Sequence, residues 1–121
     1  MVTEDYVSFE VAKLLKERGF NEATHGFYHN DYNGMLLVSN SSNHNGSINS
    51  VAAPTLQMAM KWLREVHKIH ITVYPYGEHS CDNYQFDIYK NREYLLSRDE
   101  GYITNEQAIE VAIKYALENL I

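Results

Sequence analysis

Pro54-Thr-Leu-Gln-Met-Ala-Met-Lys-Trp-Leu-Arg-Glu-Val-His-Lys-Ile-His-Ile-Thr-Val-Tyr74 changes its hydrophobic period half-way along, and that change decides the fold. Leu56, Ala59, Met60, Leu63 and Val66 recur at three- and four-residue steps, which places them along one face of a helix. From Ile69 the step falls to two. Ile69, Ile71 and Val73 then point to one side of a strand, and His70, Thr72 and Tyr74 to the other. Only His67 and Lys68 separate the two patterns, so the helix must fold back over the sheet that the strand joins. Trp62, the single tryptophan, is expected to be a large packing anchor of this helix.

Upstream, residues 5–18 read as a first helix with Val7, Val11, Leu14 and Leu15 on the buried stripe. Gly19 stands where a left-handed residue ends a helix, and Phe20 can fold back onto Leu15. Residues 24–29 and 35–39 read as strands, with Asn33-Gly34 supplying a favoured hairpin pair between them. Asn40 to Ser50 is almost wholly Asn, Ser, Gly and His, so a polar flexible loop without buried surface is expected there.

Downstream, Tyr84, Phe86 and Ile88 alternate with Gln85, Asp87 and Tyr89, which gives a second strand after 69–74. A third, weaker strand follows around Tyr94–Ser97. Thr104 and Gln107 make a capping-box pattern, and Ile103 is placed to staple onto Ala108. Ala108, Ile109, Ala112, Ile113, Ala116 and Leu120 form the inner face of the last helix. The expected fold is α+β: two antiparallel hairpins forming a sheet, with three helices mainly on one face, in the order α-ββ-α-ββ-α. At 121 residues the chain is expected to be a single domain, 1–121.

Three stretches carry a resemblance: Val7-Ser-Phe-Glu-Val-Ala-Lys-Leu-Leu-Lys-Glu-Arg-Gly-Phe20, Ala53-Pro-Thr55 with Met58-Ala-Met-Lys-Trp-Leu-Arg-Glu-Val-His67, and Ala112-Ile-Lys-Tyr-Ala-Leu-Glu-Asn-Leu-Ile121. They resemble small uncharacterised proteins of gut anaerobic bacteria and of their prophages or mobile elements. The resemblance covers about half the chain and implies a bacterial, phage-linked origin. It assigns no activity and no site residue.

The formal charge of −6 argues against broad contact with a nucleic-acid backbone, which needs clustered cations. No apolar run approaches the roughly 20 residues of a membrane span. Met1-Val-Thr-Glu-Asp is unlike a secretory start, and a single cysteine suits a reducing cytoplasm, so a cytoplasmic protein is expected.

Six histidines and Cys81 raise the question of a metal. His25 and His29 share a strand face, His67 and His70 straddle the helix–strand junction, and His79 lies two residues from Cys81. None has the spacing of a recognised zinc site, and no metal or cofactor is expected. Cys81 between acidic neighbours is a poor thiol nucleophile. The ten tyrosines are the stronger signal, because tyrosine offers broad contact area at small entropic cost. Tyr74, Tyr76 and Tyr89 fall on the sheet face opposite Ile71 and Phe86. With Ile71 set across from Phe86, His70 would stand opposite Asp87 on that same face. Tyr74, Tyr76, Tyr89, His70 and Asp87 are therefore the candidate binding residues. The expected function is a non-enzymatic binding or accessory module that acts on a protein partner or as a homodimer. The alternative is a small ligand-binding domain or enzyme using histidines of the open sheet face.

Overall fold

The computed structural model describes residues 2–77 and 83–121. Its elements are α1 (Phe9–Glu17), β1 (Thr24–His29), β2 (Leu36–Ser42), β3 (Ser50–Ala53), α2 (Leu56–His67), β4 (Ile69–Tyr76), β5 (Asn83–Lys90), β6 (Glu93–Tyr102) and α3 (Asn105–Asn119). The chain is α+β. Each hairpin gains a third strand and forms its own antiparallel sheet, ordered β2-β1-β3 and β4-β5-β6. The chain divides into two compact units, Met1–Ala59 and Met60–Ile121, with the division inside α2.

In the first unit Ser8 caps α1 by accepting the Val11 N–H at 3.2 Å. The helix stops as its sequence dictates. Gly19 takes a φ of +90°, while Phe20 N–H reaches Leu15 O at 2.9 Å and Gly19 N–H reaches Lys16 O at 3.2 Å. Asn33 and Gly34 both adopt positive φ between β1 and β2, preceded by a turn of 3-10 helix at Asn30–Tyr32. Val11, Ala12 and Leu15 of α1 are buried, as are all four residues of β3. Tyr28 ties β1 to the segment before α1 by donating its hydroxyl to Val7 O at 2.7 Å. Gly26 is a close-approach glycine. A Cβ there would lie 2.7 Å from Ala53 O and 2.7 Å from the Tyr6 ring.

Residues 40–50 depart from the expectation of a loop without packing partners. Strand β2 runs on to Ser42, and His44–Gly46 form a 3-10 turn. The His44 ring stacks on Phe27 at 4.1 Å, and Lys16 Nζ donates to Ser47 O at 2.7 Å and Ser50 O at 2.8 Å. Polar side chains supply here the partners that apolar burial supplies elsewhere.

In the second unit α3 packs on all three strands of its sheet. Ala108, Ile109, Ala112, Ile113, Ala116 and Leu117 are buried from the helix side, with Ile69, Phe86 and Ile88 from the sheet. Thr104 caps α3 by accepting the Gln107 N–H at 3.0 Å, and Gln107 Oε1 accepts the Ile103 N–H at 2.9 Å. The hydrophobic half of that motif is not made. Ile103 is 72% exposed, while Ala108 is already fully buried. Leu56, Ala59, Trp62 and Leu63 of α2 are buried, but Val66 is 55% exposed. Val66 belongs to the last turn, where Arg64, Glu65 and Lys68 around it are also exposed.

Helix α2 turns directly into β4 because Lys68 adopts a left-handed conformation, φ +58°. Its preceding residue, His67, sets its ring edge-on to Trp62 at 4.8 Å, and its Nε2 is buried with no hydrogen-bond partner among the described residues. Burial, and then the Lys90 charge, push the His67 pKa below 6.5. A histidine whose folded pKa is depressed stabilises the fold fully above its unfolded value and loses that contribution as pH falls below it. Between pH 8 and about pH 5 the melting temperature of the wild type should therefore fall further than that of His67→Phe. Parallel melting curves for the two proteins would refute this cost of protonation.

Candidate functional site

Antiparallel pairing sorts the second sheet into a helix-covered face and a tyrosine-lined one. Strands β4 and β5 pair with Ile71 opposite Ile88, Thr72 opposite Asp87, Val73 opposite Phe86 and Tyr74 opposite Gln85. Facing residues have the parity expected from the alternation, but the register is shifted by two residues. His70 is consequently opposite Tyr89 and not Asp87. The expected His70–Asp87 pair is not formed, since alternation fixes which face a side chain takes and leaves the slide along the strand open.

Asp87 instead lies at the centre of a hydroxyl network that crosses all three strands. Its Oδ1 accepts from the Tyr74 hydroxyl at 3.2 Å and from Ser97 Oγ. The Tyr94 hydroxyl donates to Ser97 Oγ at 2.8 Å, and Gln85 Nε2 donates to the Tyr74 oxygen. Gln85's bond favours the Tyr74 phenolate. Desolvation and the Asp87 carboxylate outweigh it, so the Tyr74 pKa lies above 10.0 and the phenol stays a donor. Oδ2 of Asp87 accepts no hydrogen bond among the described residues. The network thus holds the carboxylate still while leaving one oxygen for an incoming donor.

Around this centre Tyr89 and Tyr94 meet edge-to-face, 5.7 Å apart. Tyr76, two residues from Tyr74, donates its hydroxyl to Asp99 O at 2.7 Å. Tyr74, Tyr76, Tyr89 and Asp87 therefore belong to one face, and His70 stands at its end beside Tyr89. Tyr94 and Ser97 were not among the candidates read from the sequence. Tyr94 is 56% exposed and is the most open ring of the group. A register shift between Ile88 and Tyr89 brings these two residues of opposite parity onto one face.

Among the described residues the other histidines do not gather there. In the first unit His25 Nδ1 lies 2.9 Å from Ser39 O, and His29 Nδ1 accepts the Asp31 N–H. His79 and Cys81 lie outside the described residues. Among the described residues no three His, Cys, Asp or Glu side chains come together as a metal-ligand group. Among the described residues no helix is long and apolar enough to cross a membrane. No family model, no curated protein and no solved structure matches the chain.

Proposed function

We propose that the chain is a non-enzymatic cytoplasmic binding module, of bacterial and mobile-element-linked origin, whose tyrosine-lined sheet face docks a protein presenting a lysine or arginine. The observation that supports this most is Asp87, held by Tyr74 and Ser97 with Oδ2 left available. A cation descending on that oxygen meets a fixed carboxylate, and ring faces of Tyr89 and Tyr94 nearby attract positive charge. Tyrosines around a central charged contact are the composition of an interface anchor. The −6 charge of the chain favours a basic partner and opposes a second copy of itself.

The reading is tested by affinity capture from a lysate of the source organism, with wild type, Asp87→Asn and Tyr94→Ala compared side by side. A partner held by wild type should be recovered about tenfold less on either variant, a loss near 1.4 kcal/mol. Equal recovery on all three proteins, or loss only where a variant has unfolded by circular dichroism, would remove the face from consideration.

A further inference from the structure

We infer a second binding site, for an oligophosphate group, at the end of the same sheet where β4 begins and β5 ends. Two sharp turns meet there. One is the α2–β4 junction, with left-handed Lys68. The other is the β5–β6 hairpin, whose Asn91 and Arg92 have φ of +53° and +71°. Asn91 N–H donates to Lys68 O at 3.0 Å and clamps one turn to the other. Between them opens a cavity of about 600 Å³ lined by Arg64, Glu65, Lys68, His70, Asn91 and Arg92.

Its charge is the reverse of the chain's. Three permanent cations face one carboxylate in a protein that carries −6 in total. Arg64 and Arg92 form no ion pair among the described residues, and Lys68 Nζ donates only to Glu65 O, at 3.1 Å. Two guanidinium forks without an ion-pair partner among the described residues match the paired oxygens of phosphate, and a singly charged carboxylate would leave most of this charge unbalanced. Asn91 and His70 add polar atoms at the wall. The volume falls within the roughly 300–1,000 Å³ of small-molecule sites, which suits a diphosphate and the group attached to it. The diphosphate could come free or as part of a nucleotide, and both sources share the chemistry that the pocket reads.

Isothermal titration with inorganic pyrophosphate, and separately with ADP, tests the site at low salt. Saturable binding of pyrophosphate with a Kd of about 1 mM or tighter is expected. Arg64→Gln and Arg92→Gln should each weaken it roughly tenfold or more. Glu65→Gln, which removes the opposing charge, should tighten it by roughly two- to fivefold. Lys61→Gln, on α2 but outside the cavity, should change nothing. ADP binding much tighter than pyrophosphate would identify a nucleotide as the source, and equal binding would identify the free anion. Absence of saturable binding by the wild type would overturn the inference. So would an affinity that folded Arg64→Gln and Arg92→Gln leave unchanged.

Discussion

Trp62→Ala should lower the free energy of unfolding by about 3–5 kcal/mol. The indole is only 7% exposed, and its neighbours on the same helical stripe, Ala59 and Leu63, are fully buried. Its removal takes away the biggest apolar side chain of α2 and the edge-to-face partner of His67. Part of the cost is lost transfer energy, and part is the cavity that rigid neighbours cannot close. Val66→Ala is the internal comparison. Val66 sits one helical turn beyond Trp62 but is 55% exposed, so its truncation should stay within about 0.5 kcal/mol. Urea titration followed by far-ultraviolet circular dichroism measures both, since Trp62 is the only tryptophan and its fluorescence vanishes with it. A Trp62→Ala protein within 1 kcal/mol of wild type, on the scale of surface substitutions, would mean that the ring is not a packing anchor.

That contrast also marks where local reading of the sequence succeeds. The end of α1 at Gly19, the abrupt passage from α2 to β4 and the cap at Thr104 each follow from a few adjacent residues. Backbone conformation at these points is set locally, so sequence suffices. Register is different. The alternation of Ile69, Ile71 and Val73 against Tyr84, Phe86 and Ile88 assigns faces correctly, but a slide of two residues preserves every face assignment. The choice among such slides is made by the whole sheet, including β6 and the left-handed Asn91-Arg92 turn that sets where β6 begins. The candidate face inherits the same limit. Tyr74, Tyr76, Tyr89 and Asp87 are placed by parity alone. The partners Tyr94 and Ser97 depend on an irregularity in pairing that no period of two can express.

Asn45→Ala should cost about 1–3 kcal/mol and lower the melting temperature by roughly 4–12 °C, although Asn45 stands in a stretch with almost no apolar residue. Hydropathy treats Asn40 to Ser50 as dispensable because it buries no carbon, and that inference omits what an amide can do to a backbone. Asn45 Nδ2 donates to Phe20 O at 2.8 Å, and its Oδ1 accepts the Ala52 N–H at 2.7 Å. One side chain thereby satisfies the residue just past the end of α1 and an inner residue of β3. Alanine would remove the Asn45 partner from each of these two backbone groups in a partly buried place, and the lost bonds are not replaced by the methyl group. Asn45→Asp separates the two bonds. It keeps the acceptor for Ala52, loses the donor to Phe20 and sets a carboxylate against a carbonyl, so it should destabilise through that one contact. Asn40→Ala, whose side chain makes no hydrogen bond among the described residues, should melt with the wild type. Exchange of residues 43–47 for a Gly/Ser linker should cost at least as much as Asn45→Ala, because it also removes the His44 ring from Phe27 and the Ser47 carbonyl from Lys16. If the linker variant melts with the wild type, the contacts of this segment contribute nothing to stability, and hydropathy alone had judged it correctly.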